Sequence, residues 1–123
     1  MSNTYKVMNR LIDLYGVDIN IRRRTETTDD EGDITYTYPT TINTRAQVSE
    51  LTGYQQEWES PGIVLNADYL ITFKRGTLVD TGDLLSWILE GSANTIQCVV
   101  DTKLYRKTGK YIDYIEVLAK RRI

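Results

Sequence analysis

Few residues of this chain have the types and spacing that catalysis requires. Its 123 residues include 17 aspartates and glutamates, one cysteine and no histidine. These counts exclude histidine-based triads, the usual zinc sites and an intramolecular disulfide. Gly76 and Gly82 form neither a GxGxxG motif nor a Walker loop. We therefore predict no catalytic residue, no cofactor, no cofactor-binding residue and no metal ligand, and a protein that is not an enzyme.

The densest group of carboxylates lies in a polar segment between two alternating ones. It consists of Asp29, Asp30, Glu31 and Asp33, with Gly32 between them. The group lacks the spacing of an EF-hand calcium loop, which needs ligands at fixed positions and a distal glutamate. We interpret it as a solvated turn and predict no metal there.

The single cysteine, Cys98, lies in the alternating segment Thr95–Val100. No catalytic partner is adjacent, so the pattern favours a buried small side chain over a reactive thiol. The chain has no apolar run as long as a membrane span and no secretory pattern near its start. We expect a protein that is made in a reducing cytoplasm and does not associate with membranes.

Basic residues occur in two short runs, Arg22–Arg24 and Lys120–Arg122, and the chain has nine tyrosines. Basic and aromatic residues on a sheet are typical of OB-like nucleic-acid-binding modules. However, the formal net charge is -2, the pI is about 5.1, and five acids follow the first run between Glu26 and Asp33. Nucleic-acid binding is therefore kept as a less favoured alternative.

The elements that must position these residues begin with a helix. Apolar side chains recur at helical spacing over residues 3–15, within the N-terminal segment 1–16. This face consists of Tyr5, Met8, Leu11, Ile12 and Tyr15. Gly16 follows, and we predict that it ends the helix in the left-handed conformation.

From Val17 onward the apolar period changes from 3.6 to 2, which predicts strands. We expect these at 17–26, Ile34–Tyr38, Ile42–Leu51, Ala67–Arg75, Leu84–Leu89, Thr95–Tyr105 and Tyr111–Lys120, separated by polar or glycine-containing turns. The length and the 41% apolar content fit one globular domain. We therefore predict a mainly β single domain over 1–123, a small antiparallel β-barrel of six to seven strands with a short N-terminal α-helix.

One long segment, 49–66, shows no sustained period and is predicted to be a loop. Five large apolar side chains lie in it: Tyr54, Trp58, Ile63, Val64 and Leu65. They either cover one end of the barrel or contact a partner when the protein assembles.

The order and spacing of several residues carry a family resemblance over Val17 to about Arg122. These residues are Ile21–Thr27 with Asp29 and Gly32, then Ala46, Val48 and Leu51–Gly53, then Ile71, Phe73, Arg75, Gly76 and Asp80–Asp83. The pattern resembles the head-tail joining proteins of tailed phages, specifically the head-closure or stopper group of small β-barrels. The N-terminal helix departs from the many members that begin near the first strand.

The resemblance implies a structural virion protein at the head-tail interface, made in the host cytoplasm. It implies a monomer in isolation that forms a ring on assembly, helps retain packaged DNA and provides the surface for tail attachment. Its implied partners are the connector adaptor and portal proteins on one side and a tail terminator or tail-completion protein on the other, with transient proximity to genomic double-stranded DNA. A tail terminator or another tail-ring subunit is the alternative within phage assembly.

The resemblance also implies two candidate assembly regions. Segment 49–66 becomes the candidate channel or assembly loop, with residues Glu50, Tyr54, Glu57, Trp58, Glu59, Ile63, Val64 and Leu65. Carboxylates in the channel would repel phosphate and favour sliding of DNA. The helical face described above becomes a candidate docking element for the adaptor, or a cap on an open end of the barrel.

Overall fold

The computed structural model describes residues 4–51, 67–88 and 94–122. Within them the chain forms one helix, α1 (Thr4–Tyr15), and six strands. The strands are β1 (Val17–Thr28), β2 (Ile34–Glu50), β3 (Tyr69–Lys74), β4 (Leu84–Ile88), β5 (Thr95–Thr108) and β6 (Tyr111–Arg121).

The strands close into a barrel in the order β1-β2-β3-β6-β5-β4, with β4 returning to β1. Every neighbouring pair is antiparallel. The prediction of a small antiparallel β-barrel with a short N-terminal helix is therefore confirmed. Strands β1, β3 and β5 point to one end of the barrel, and β2, β4 and β6 point to the other.

Strand β2 corrects two boundaries of the prediction. It is continuous through Pro39, where the sequence suggested two separate strands. Arg23 pairs with Thr40 and Thr25 pairs with Thr37, so β2 has one extra residue here and forms a bulge. A bulge tolerates proline because the missing N–H is not needed for a ladder hydrogen bond.

The second boundary lies at the other end of β2. Ser49 and Glu50 pair with Leu70 and Tyr69 of β3, so the predicted loop does not begin at residue 49. The apolar alternation fades here, but the backbone hydrogen bonds of the sheet continue to Glu50. Residues 52–66 of that predicted loop lie outside the described residues.

The barrel interior is filled by alternate side chains of all six strands. Its members include Ile19, Ile21, Ala46, Ile71, Phe73, Leu85, Cys98, Val100, Ile115 and Val117, all almost completely buried. Tyr69 and Trp87 meet edge to face, with ring centroids 5.2 Å apart. The period-2 pattern of the sequence thus predicts the core correctly.

Helix α1 packs on the outside of the barrel against β2, β3 and β6. Ile12 is its buried residue, and the predicted face is otherwise half-buried at Tyr5, Met8 and Leu11 and exposed at Tyr15. An ion pair of 2.5 Å joins Asp13 to Lys74 of β3. The helix therefore uses most of its apolar face within its own chain.

Gly16 ends the helix, as predicted, but not in the left-handed conformation. Its N–H donates to the carbonyl oxygen of Ile12 over 2.8 Å. A Cβ at this position would lie 2.4 Å from that oxygen and 2.8 Å from the carbonyl oxygen of Ala46. Glycine is needed here because the backbone of β2 approaches closely, and not because of an unusual φ.

Candidate assembly surface

Two hairpins in the described part of the chain extend beyond the barrel. In the first, arm 1, residues 23–28 of β1 and 34–40 of β2 pair only with each other. In the second, arm 2 (residues 101–113), only residues 107–108 of β5 and 111–112 of β6 pair with each other alone; residues 102–106 of β5 pair with residues 114–118 of β6, which also pair with β3. Both edges of arm 1 are therefore free of strand partners, and on arm 2 the β5 edge is free over residues 101–108 and the β6 edge only over residues 111–113.

The strand order determines the position of each arm on the barrel. Both tips lie at the same end of the barrel, because β1 and β5 run in the same direction. Strand β3 separates the arms on one side and β4 separates them on the other. The arms therefore rise from opposite sides of one end.

Arginines and tyrosines line arm 1 near its root. The guanidinium of Arg24 lies 4.6 Å from the ring centroid of Tyr36, and that of Arg22 lies 5.9 Å from the centroid of Tyr38. These are cation–π distances. The basic run of the sequence is thus shared with tyrosines of the paired strand and does not form an open basic patch.

The tip of arm 1 is acidic and internally ordered. Oδ1 of Asp29 accepts hydrogen bonds from the N–H groups of Glu31 (2.9 Å) and Asp33 (2.8 Å). Gly32 supplies the positive φ of 87° that the turn needs. The carboxylates of Asp30, Glu31 and Asp33 are exposed and form no ion pair with another described residue.

Arm 2 carries lysines and tyrosines. Lys103 lies 4.6 Å from the ring centroid of Tyr105, and Lys110 lies 5.6 Å from that of Tyr111. Arg106 is paired with Glu116 over 2.6 Å. Among the described residues, the three lysines of this arm, at 103, 107 and 110, have no ion-pair partner.

The loop between β3 and β4 is held to the root of arm 1 by Asp83. This carboxylate is 2% exposed and accepts hydrogen bonds from the backbone N–H groups of Arg24 and Asp80, each over 2.8 Å. Nε of Arg23 lies 2.8 Å from Oδ2 of Asp83 as an ion pair. Two arginines of the basic run therefore contribute to this structural contact, one by its side chain and one by its backbone.

A cleft of about 260 Å³ lies at the arm end of the barrel. Arg23 lines it from arm 1, Lys103 and Tyr105 line it from arm 2, and residues 76–80 of the β3–β4 loop contribute the rest with Ile112 and Ile115. The cleft thus adjoins the roots of both arms.

The predicted assembly loop is placed only in part. Glu50 lies at the end of β2 and is exposed. Tyr54, Glu57, Trp58, Glu59, Ile63, Val64 and Leu65 lie outside the described residues. The docking-helix residues lie on α1, whose carboxyl end joins β1 at the barrel end opposite the arm tips.

Among residues 4–51, 67–88 and 94–122, no group of three histidine, cysteine, aspartate or glutamate side chains is placed to hold a metal ion. No helix in that part of the chain is long and apolar enough to cross a membrane.

Cys98 is fully buried in the barrel core, as predicted. Burial raises the pKa of its thiol from 9.0 to about 12. In the unfolded chain the thiol loses its proton first, so the free energy of unfolding falls as pH rises above 9.

We expect a loss of about 1 kcal/mol between pH 9 and 10, because the thiol of the unfolded chain is only half ionised at pH 9. Urea titrations at several pH values measure it. Cys98→Ala is the control and flattens the slope in this range. Equal slopes in the two proteins would contradict the assignment to Cys98. The raised pKa values of Tyr69 and Tyr114, due mainly to burial, act at higher pH.

The arms were not identified from the sequence, although a signal was present. From residue 25 to residue 44 the chain has five acids and no lysine or arginine. From residue 102 to residue 112 it has four bases and no acid. The near-neutral net charge of the whole chain hides this separation of charge between the outer parts of the two hairpins; Arg23, Arg24, Asp101 and Asp113 at their roots do not share it.

The fold and the surface together define the class of protein. It is a small closed antiparallel β-barrel that carries an acidic and a basic hairpin arm at one end. No protein-family model matches the sequence, and no curated protein matches it.

Proposed function

We propose that this protein is a structural, non-enzymatic subunit of the head-tail connector of a tailed phage or prophage. It is a stopper or head-closure protein that forms a ring under the portal and adaptor, helps retain packaged DNA and provides the surface for tail attachment. The observation that carries the proposal furthest is the pair of arms on opposite sides of the barrel, with strand edges that lack partners.

A ring subunit needs two different surfaces on opposite sides, because each copy contacts one neighbour on each side. The arms supply such surfaces. The closed barrel leaves few other strand edges to pair without control, which suits a subunit that remains monomeric until assembly. The resemblance in order and spacing from Val17 to about Arg122 points to the same role.

The role places the protein in the virion, at the head-tail interface. One face of the ring meets the adaptor and portal, and the other meets a tail terminator or tail-completion protein. Packaged DNA passes through the ring, so contact with it is transient. The exposed arms and the helix surface offer contacts for these partners.

Labelling of virions tests the proposal. The protein is fused to a small epitope tag, and antibody-gold particles are located by electron microscopy on virions and purified necks. We expect label in a ring between head and tail, and none on particles that carry the untagged protein. Label at the distal end or along the tail supports a tail-ring subunit instead. Absence of label together with salt-dependent oligonucleotide binding supports a nucleic-acid-binding module.

A further inference from the structure

The charges of the two arm tips are opposite, and the two arms rise from opposite sides of the barrel. Arm 1 carries Glu26, Asp30, Glu31 and Asp33 in addition to the turn residue Asp29. The tip of arm 2 carries Lys107 and Lys110; Lys103 and the paired Arg106 lie nearer its root, and the carboxylate of Asp113 is buried and accepts a hydrogen bond from Thr108. Among the described residues, no ion pair joins one of these carboxylates of arm 1 to a lysine of arm 2 within one copy.

We infer that the acidic tip of arm 1 binds the basic tip of arm 2 in a second copy of this chain. The contact is heterologous, so the second copy still offers its own acidic tip to a third. Repetition of such a contact gives a closed ring when the rotation between copies closes, and a filament otherwise.

Exposed apolar side chains along the two arms add to the contact a hydrophobic part that charge alone would lack. Ile34 and Tyr36 on arm 1 are 54% and 48% exposed, and Tyr105 and Tyr111 on arm 2 are 45% and 42% exposed. Exposed aromatic and aliphatic groups inside a charged rim are typical of protein interfaces. The free strand edges of both arms also allow backbone hydrogen bonds between copies.

The charge pattern favours a second copy over a nucleic acid as the occupant. A phosphate backbone would match arm 2 but would be repelled by the acidic tip at the same end of the barrel. A second copy matches both tips with one contact. The inference rests on the proposed function only in taking copies of this chain as neighbours, and it is tested without a virion.

Zero-length cross-linking tests the contact directly. A carbodiimide joins a carboxylate to an amine only where they touch, so we mix unlabelled and ¹⁵N-labelled full chains at high concentration and low salt. We expect mixed-label peptides that join residues 26–33 to residues 103–110, and fewer of them as salt is added. Absence of such mixed peptides at low salt would overturn the inference.

Charge reversal gives the second test, with self-association measured by sedimentation equilibrium. We expect Asp30→Lys with Glu31→Lys to weaken association about tenfold, and Lys107→Glu with Lys110→Glu to do the same. The chain carrying all four changes should return to within about threefold of the native protein, because complementarity is restored. The control, Lys120→Glu with Arg122→Glu, reverses two exposed bases at the other end of the barrel and should leave association unchanged.

The outcomes separate this inference from the proposed function. If the four-fold variant associates as weakly as its parents, or the control weakens association equally, the arms do not bind each other. That result does not bear on the connector role, which is tested separately by the label at the virion neck. Conversely, if cross-links join the two tips but virions carry no label, the contact between copies is supported and the connector role is rejected.

Discussion

Asp83→Ala lowers the free energy of unfolding by about 3 kcal/mol, the largest loss we expect from any single polar substitution in this protein. The carboxylate is buried, accepts two backbone hydrogen bonds and pairs with Arg23. Alanine leaves the N–H groups of Arg24 and Asp80 without these acceptors and the guanidinium of Arg23 without its opposite charge. Urea unfolding followed by fluorescence and circular dichroism measures the change.

Asp18→Ala is the matched control for this substitution. Asp18 also pairs with an arginine, Arg45, over 3.2 Å, but its side chain is 90% exposed. Exposed pairs contribute little, so we expect a loss below about 1 kcal/mol. If both substitutions cost the same, Asp83 does not hold the β3–β4 loop to the root of arm 1.

Gly16→Ala is expected to destabilise the protein by about 2–3 kcal/mol through overpacking. The added methyl would meet backbone oxygens of Ile12 and Ala46, which cannot rotate away as a side chain can. The helix must therefore shift off β2. Urea unfolding gives the size of the loss, and hydrogen exchange of the α1 amides shows whether the helix has lost its packing.

Gly76→Ala is the control for Gly16→Ala. It separates the effect of steric crowding by the added methyl from the backbone strain of replacing a glycine that has a positive φ. Gly76 has a φ of 82°, and a Cβ there would meet nothing within 4 Å. Its substitution costs about 1 kcal/mol of conformational strain and leaves exchange in α1 unchanged. Unchanged α1 exchange in Gly16→Ala would show that the close approach to β2 does not anchor the helix.

Period-2 alternation was sufficient to predict most of the barrel. Ile19 and Ile21, or Ile71 and Phe73, point inward because successive side chains of a strand face opposite sides. The prediction failed at Pro39, where a bulge keeps the strand continuous. A bulge depends on the partner strand, and local composition does not specify the partner.

The candidate assembly surface was harder to predict than the core. Whether a strand edge is free depends on where its two neighbours end, which is a property of register and not of the strand's own sequence. The burial of Asp83 has the same origin, because its hydrogen-bond donor Arg24 is 59 residues away. The sequence indicated a turn at Asp80–Asp83, but not what that turn would contact.

The position of Asp83 at the root of arm 1 also has a mechanical consequence. Arm 1 projects about 20 Å beyond Arg22, taking six residues at the rise of a strand. A lateral force on the tip would bend arm 1. The bending moment is greatest at Arg22, where the pairing of β1 with β4 ends. Asp83 contacts Arg23 and Arg24 directly beyond this position. These contacts transmit the force from arm 1 to the β3–β4 loop and to the barrel.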